Sequence, residues 1–218
     1  MKNNMKQNKW KILISAGIIL LPALFGLVIW NRLPEQMPTH WNMAGEVDGW
    51  SSKTFTVFGL PGILLGAHLA CILGTRTDPK NKDQNRKVMG MVLWLCPVIS
   101  LVVSGMTYGA ALGMEMNVKL QASVLMGAMF IIIGNYLPKT KQNYTIGIKV
   151  PWALHSEENW DRTHRLAGRL WVAGGILMLA NVFLPQDWTW PVMLVGLVVP
   201  TILPMGYSYL LYRKETRK

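Results

Sequence analysis

The sequence predicts an all-α fold: a polytopic bundle of six transmembrane helices with the N and C termini in the cytoplasm. Hydrophobic residues make up 51% of the chain and charged residues only 15%, and six apolar stretches are each long enough to cross a bilayer. Every second polar segment, starting with the first, is basic, and these segments hold 19 of the 22 Lys and Arg. Because Lys and Arg accumulate in cytoplasmic segments, this alternation predicts the orientation of all six spans.

Each span is predicted to be an α-helix, because an isolated apolar segment in lipid must satisfy its backbone hydrogen bonds internally. The predicted spans are residues 12–30, 55–73, 88–112, 118–137, 166–184 and 190–210. Interior prolines are expected to kink four of these helices, at Pro22, Pro61, Pro97 and Pro200. Glycines four residues apart predict close contacts between helices, at Gly62/Gly66, Gly105/Gly109 and Gly109/Gly113.

The polar segments divide the chain into three parts. Residues 1–75 hold the first two helices, residues 76–137 a basic loop with the third and fourth, and residues 138–218 a long loop with the fifth and sixth. The first apolar stretch is too long for a cleaved signal sequence and is expected to be retained. Two loops are long enough to hold a site, and we call residues 31–54 the outer loop and residues 138–165 the inner loop.

The net charge of +11 does not indicate a nucleic-acid-binding protein. The segments predicted to be cytoplasmic sum to +13 and the external ones to −2, so the excess faces anionic lipid headgroups. No span contains Asp or Glu, which disfavours a proton-coupled pump. Inside the spans His68, Asn135 and Asn181 are expected to hydrogen-bond between helices, with a functional His68 as the alternative.

The outer loop contains two stiffening prolines and two turn glycines, around one histidine and two carboxylates, His40, Glu46 and Asp48. Three interpretations stay open from these residues. The loop is a compact, hydrogen-bonded cap with Trp41 and Trp50 at the membrane interface, or a contact surface for a ligand or peptide, or a divalent-cation site. The spacing matches no established metal site.

The inner loop is predicted to end in a helix that runs into the fifth span. Pro151 breaks any preceding helix, Ser156 is placed to cap the new one, and two glutamates then lie in its positive first turn. Helical spacing puts an ionic stripe on one face and an aromatic stripe on the other. The ionic stripe is Glu158, Asp161, Arg162, Arg165 and Arg169, and the aromatic stripe is Trp160, His164, Ala167 and Trp171. Either this is a salt-bridged juxtamembrane helix that anchors the bundle, or the ionic stripe forms a docking surface for a cytosolic partner or a gate.

The sequence contains none of the motifs that indicate an enzyme, such as H-E-x-x-H, G-x-S-x-G, phosphate-binding loops and Cys–His pairs. We therefore expect neither catalysis nor a cofactor.

The inner loop closely resembles the signature of the SdpI immunity-protein family. The residues that carry the resemblance are Gly134, Asn135, Asn143, Ile146, Gly147, Pro151, Trp152, Leu154, Ser156, Glu158, Trp160, His164 and Arg165. The outer loop resembles a domain that often precedes it, with the pattern P-x-H-W-N-x-x-G-x-x-D. Lys149 departs from the usual Arg and loses its bidentate fork.

The resemblance implies a multi-pass protein of the bacterial cell membrane that protects against a secreted peptide toxin, and that in addition recruits a cytosolic repressor. Partners would be membrane lipid, the toxin and the repressor, with no direct nucleic acid. The expected toxin-binding residues are His40, Trp41, Asn42, Glu46 and Asp48. The expected docking residues are Asn135, Asn143, Gly147, Pro151, Trp152, Glu158, Trp160, His164 and Arg165. The alternative is a small transporter or channel for a peptide or an ion.

Overall fold

The computed structural model describes residues 2–42, 44–80, 84 and 86–217, with side chains in the first helix from residue 9 onward. The helices are α1 (Lys2–Val28), α2 (Leu60–Thr77), α3 (Arg86–Ala111), α4 (Val118–Tyr136), α5 (Glu157–Ala180) and α6 (Thr189–Glu215). Two strands, β1 (Gln36–Trp41) and β2 (Val47–Ser52), form an antiparallel hairpin between α1 and α2. The predicted cytoplasmic residues Lys82 and Lys218 lie outside the described residues.

Among the described residues, six helices are long and apolar enough to cross a membrane, which confirms the predicted all-α polytopic class and the multi-pass membrane location. The candidate spans are Lys9–Val28, Phe55–Thr77, Arg86–Ala111, Val118–Lys139, Glu157–Phe183 and Gln186–Glu215. A π-helical turn, Phe55–Gly59, leads into α2, and Pro61 follows it in the first turn. Pro22, Pro97 and Pro200 lie inside their helices as predicted, and Pro204 joins them in α6.

The chain forms two compact units. Unit 1 comprises Met1–Ile72 and Val92–Val118, and unit 2 comprises Leu73–Met91 and Lys119–Lys218. Unit 1 therefore holds α1, the hairpin and most of α2 and α3, whereas unit 2 holds the inner loop and α4 to α6. The division into residues 1–75, 76–137 and 138–218 stays a prediction.

Polar contacts join the helices of unit 1. The Ser100 hydroxyl donates to the carbonyl of Ile19 at 2.9 Å, and the Tyr108 hydroxyl donates to the carbonyl of Pro22 at 2.8 Å. Gly26 permits the second contact, because a Cβ added there would lie 2.6 Å from the Tyr108 oxygen. A buried cluster of Leu33, Met37, Val57 and Tyr108 joins the base of the hairpin to the helices.

Glycine pairs bring α5 against α4 and α6 in unit 2. A Cβ added at one glycine would lie under 3 Å from the carbonyl oxygen of its partner, in the pairs Gly175/Gly127, Gly168/Gly134 and Gly174/Gly196. The glycine pairs predicted from the sequence were wrong. Among the described residues, a Cβ would meet nothing within 4 Å at Gly62, Gly66, Gly105 or Gly113, and at Gly109 it would meet loop methionines. The close contacts belong to α4, α5 and α6, because their glycines face a neighbouring backbone.

Candidate functional site

The outer loop is a hydrogen-bonded hairpin of two antiparallel strands. Asn42 organises its turn: its side-chain oxygen accepts from the backbone N–H groups of Ala44 and Glu46 at 2.9 and 3.0 Å. Gly45 completes the turn with φ +85°, a left-handed conformation that favours glycine. The prediction of a compact, hydrogen-bonded loop is confirmed, while its strands were not predicted.

The hairpin pairs its predicted ligand-binding residues with each other. His40 Nδ1 and Asp48 Oδ1 lie 2.5 Å apart on an exposed surface, and the Asn42 amide donates to Glu46 Oε2 at 3.2 Å. His40 lies opposite Gly49, where an added Cβ would come within 2.7 Å of the histidine Cβ. In the part of the chain that the structure describes, no three His, Cys, Asp or Glu side chains are grouped to hold a metal ion. The observed geometry therefore offers an exposed polar surface.

Lys53, which the sequence analysis did not single out, closes the base of the hairpin. It is only 7% exposed, and its ammonium group lies 2.7 Å from a Glu35 carboxylate oxygen. The same group donates to the Leu33 carbonyl at 3.4 Å and lies 4.8 Å from the centre of the Trp30 ring. A buried ammonium needs such partners, so these contacts fix where the hairpin leaves the helices.

The inner loop is folded around Asn143, which is fully buried. Its side-chain NH₂ donates to the carbonyls of Lys141 and Ile146 at 2.7 and 3.0 Å. Its side-chain oxygen accepts from the backbone N–H groups of Thr145 and Ile146 at 2.8 and 2.6 Å. The Asn143 side chain thus bonds four backbone groups. These hydrogen bonds hold a loop without secondary structure in one conformation.

Asp78, which lies just after α2, is a second organiser of the inner loop that the sequence analysis missed. Its carboxylate accepts from the backbone N–H of Tyr144 at 2.8 Å and from the Thr145 hydroxyl at 2.9 Å. Burial alone would raise the pKa of Asp78, but these hydrogen bonds and one from the Lys80 N–H outweigh it and lower the pKa. The folded inner loop therefore favours the ionised carboxylate.

Gly147, Trp160 and His164 meet in the buried part of the inner loop. Gly147 has φ +109°, and a Cβ there would collide with the His164 ring. The rings of Trp160 and His164 stack with centroids 3.9 Å apart, and the Trp160 indole N–H donates to the Thr140 carbonyl at 2.7 Å. The predicted aromatic face of α5 is thus the surface on which the inner loop folds.

Side chains from the inner loop and the start of α5 also bind α6. The Asn159 amide donates to the Ser208 carbonyl at 3.0 Å, and its oxygen accepts from the Ser208 hydroxyl at 2.6 Å. The Trp152 indole N–H donates to the Met205 carbonyl at 3.0 Å. Ser156 caps α5, as predicted, by accepting from the Asn159 N–H at 3.1 Å. Asn159 was not among the predicted residues, although it is buried beside them.

The remaining predicted residues of the inner loop lie on its surface. Pro151, Glu158 and Arg165 are exposed, and Glu158 pairs with Arg162 at 2.8 Å, as helical spacing predicted. Arg165 donates to the backbone carbonyl of Asp161 at 3.4 Å instead of to its carboxylate. The structure thus separates the predicted set into buried residues that shape the loop and an exposed charged face.

The predicted intramembrane polar contacts are confirmed for two residues and wrong for one. His68 Nε2 of α2 lies 2.9 Å from the Ser15 hydroxyl of α1, and the Asn181 amide donates to Ser123 of α4 at 3.1 Å. Asn135 was expected to bond between helices, but it is exposed and donates to the Ile131 carbonyl of its own helix at 3.0 Å. The carbonyl four residues earlier in the same helix lies within reach of an Asn side chain. An exposed Asn can therefore satisfy its amide without a hydrogen bond to a second helix.

Comparisons with known proteins cover both loops. Residues 139–208 match the SdpI/YfhL protein family, and residues 17–65 match a domain of unknown function, DUF1648. The chain is 27% identical over 208 residues to the immunity protein SdpI of Bacillus subtilis (strain 168). The alignment covers 94% of this chain and 97% of that protein. No solved structure matches. The first region contains nearly all of the inner loop and the second contains the hairpin, whereas Asp78 lies in neither.

Proposed function

Because residues 139–208 match the SdpI/YfhL protein family, we propose that the chain is a membrane immunity protein that gives resistance to a secreted antimicrobial peptide toxin. The observation that carries this proposal is the likeness to an immunity protein along nearly the full length of both chains. A set of helices suited to cross a membrane is consistent with protection at the bilayer. Protection would result from binding, and a catalytic step is not part of the proposal.

The hairpin is the surface that would meet the toxin on the outer side. His40 and Asp48 lie side by side and exposed, and Trp50 is more than half exposed beside them on β2. Exposed aromatic and charged side chains on a rigid support are the usual anchors of a peptide contact. The Asn42 turn and the Lys53 base supply the rigidity, so toxin contact would require little ordering of the loop.

The inner loop would dock a cytosolic repressor through its exposed charged face. Glu158, Arg162 and Arg165 occupy successive turns of α5 above the buried Trp160. The buried residues would act as positioning residues, because they hold the loop that carries this face without reaching the surface. A small transporter or channel is the alternative function, and it requires a polar path along the helices.

Survival of a sensitive host tests the immunity proposal. The chain is expressed in a Gram-positive strain without its own immunity gene, and a purified secreted peptide toxin is titrated against it. We expect the tolerated dose to rise by about tenfold or more, the change that about 1.4 kcal/mol of differential toxin binding would give. Equal sensitivity with and without the protein, when it is present in the membrane, would contradict immunity.

Paired variants then test the two surfaces. We expect His40→Ala with Asp48→Ala to lower the tolerated dose, while Gln36→Ala, an exposed change on the same hairpin, leaves it unchanged. Arg165→Ala is expected to preserve survival but to abolish membrane recruitment of a fluorescently labelled repressor, with Arg217→Ala as its exposed control. Unchanged survival in the double hairpin variant would show that the toxin contacts another part of the protein.

A further inference from the structure

An apolar groove runs between α1 and α3 within unit 1. It has a volume of about 350 Å³ and is open along one side. Its lining comes from the later turns of both helices and from the loop after α3, and includes Phe25, Leu101, Tyr108, Leu112 and Met114. This volume suits one or two large side chains of a bound segment, since whole drug-sized ligands occupy pockets of about 300–1,000 Å³.

The floor of the groove is held in place by contacts already described. Tyr108 is buried, its hydroxyl is bonded to the Pro22 carbonyl, and its ring lies 6.0 Å from that of Phe25. Tyr108 also belongs to the buried cluster at the base of the hairpin. The groove is therefore continuous with the outer-loop structure, and a ligand would find it already formed.

Gly105 gives a ligand close access to the backbone of α3. It lines the groove, it is exposed, and within the described part of the chain a Cβ added there meets nothing within 4 Å. Because glycine has no side chain, a second helix can approach a membrane helix more closely at a glycine than at any other residue type. This position is therefore suited to an apolar helical segment.

Acidic residues lie in the loop after α3 and in the hairpin, on the predicted outer side of unit 1. The loop after α3 folds back so that a Cβ at Gly109 would lie 3.1 Å from Met116 Sδ, and one at Gly45 of the hairpin turn would lie 3.8 Å from Val118 Cβ. The hairpin turn carries Glu46, the adjoining strand β2 carries Asp48, and the loop after α3 carries Glu115. The charged residues on this side of unit 1 are Arg32 and Lys53 against Glu35, Glu46, Asp48 and Glu115, for a net charge of −2.

We propose that this groove binds the apolar segment of a cationic, membrane-inserted peptide, with the basic end of the peptide against the acidic residues of the hairpin turn and of the loop after α3. The charge complementarity and the continuity with the hairpin favour a peptide over an anionic lipid, which the same residues would repel. The inference rests on the proposed immunity function in naming the peptide as the toxin. The groove itself can be tested without that function.

Photo-crosslinking in phosphatidylcholine vesicles tests the groove directly. The photoreactive amino acid p-benzoylphenylalanine replaces Leu101, which is 46% exposed in the groove, or Ile63, which is 60% exposed on α2 outside the groove. The probes are two biotinylated polyleucine helices of about 20 residues, one flanked by lysines and one by glutamates. We expect the lysine-flanked helix to crosslink at Leu101 about fivefold more than the glutamate-flanked one, and the two to crosslink equally at Ile63.

Gly105→Leu fills the groove and is expected to reduce crosslinking at Leu101 to the level seen at Ile63. Gly66→Leu is the matched control, because it places the same side chain on a membrane helix at another glycine with open space around it. Equal labelling of the two peptides at Leu101, or labelling that Gly105→Leu does not reduce, would overturn the proposal and leave lipid as the occupant.

The survival assay separates the two proposals. If the unmodified chain protects cells and Gly105→Leu protects them equally well, toxin binding in the groove is wrong while immunity stands. If the chain does not protect cells but the lysine-flanked helix still crosslinks selectively, immunity is wrong while the groove remains a site for cationic peptides. Reduced protection by Gly105→Leu but not by Gly66→Leu would support both.

Discussion

Ile148 donates its backbone N–H to Nε2 of His164 at 3.0 Å. Because a backbone amide can only donate, Nε2 carries no hydrogen, and the imidazole hydrogen lies on Nδ1. Nδ1 then donates to the Trp160 carbonyl at 2.8 Å, so both ring nitrogens are used. One histidine thereby joins the inner loop to the first turns of α5, and the loop reaches it only because Gly147 precedes Ile148.

Gly147→Ala is expected to destabilise the folded inner loop by about 2–3 kcal/mol. The positive φ alone costs of order 1 kcal/mol with a side chain, and the added Cβ would also collide with the His164 ring. Thermal unfolding in detergent measures the loss. Gly113→Ala is the control, because Gly113 also has a positive φ, +80°, but has open space around it among the described residues. Equal losses in the two variants would show that the His164 contact does not matter.

Asn143→Ala is expected to be more damaging than Asn135→Ala. Asn143 is fully buried and bonds four backbone groups, and its removal leaves several of them unsatisfied, at a cost of about 3 kcal/mol or more. Asn135 is exposed and bonds only its own helix, so its loss should lie within about 0.5 kcal/mol. Proteolysis of the inner loop in inside-out vesicles measures the difference. Similar digestion rates would contradict the structural role of Asn143.

Asp78→Asn is expected to destabilise the inner loop near neutral pH by about 1–3 kcal/mol, because the carboxylate accepts several hydrogen bonds. Its lowered pKa makes ionisation stabilising above the unfolded-state pKa of about 3.9, and this contribution is lost as the pH falls through the folded-state value. Melting temperatures of the two proteins should therefore differ at pH 7, and the difference should shrink as the pH falls below the unfolded-state pKa. Asp187→Asn, an exposed change, is the control and should leave the melting temperature at pH 7 unchanged.

Hydropathy and the basic residues were sufficient to predict the spans, because the bilayer imposes a length and a composition on each helix. The hairpin was missed for a physical reason. Its strands are six residues long, and β2 alternates only between half-buried and exposed positions, so its sequence, VDGWSS, carries no clear hydrophobic alternation. The signal that could have revealed it is the Asn-x-x-Gly turn, with Asn42 bonding its own backbone and Gly45 at positive φ.

Asp78 could not be found from local patterns, because its partners Tyr144 and Thr145 lie 66 and 67 residues away along the chain. The glycine contacts between helices were predicted at the wrong positions. Spacing of four residues occurs on helix faces that meet lipid as well as on faces that meet helices. The glycines that contact another helix are instead spaced seven residues apart along their own helix, as Gly127 and Gly134 are on α4 and Gly168 and Gly175 on α5. Seven residues are about two helical turns, so both glycines lie on the same face.

The orientation of the chain across the membrane is predicted from the distribution of Lys and Arg, and thiol labelling tests it. In a background of Cys71→Ser and Cys96→Ser, Gln36→Cys places a thiol on the hairpin and Lys149→Cys places one in the inner loop, at exposed positions. We expect a membrane-impermeant maleimide to label position 36 in intact cells and position 149 only after permeabilisation, because the segments with 19 of 22 basic residues should face the cytoplasm. The reverse pattern would place the inner loop outside. A repressor could then no longer reach the Arg165 face, and the peptide would have to meet the hairpin from the cytoplasm.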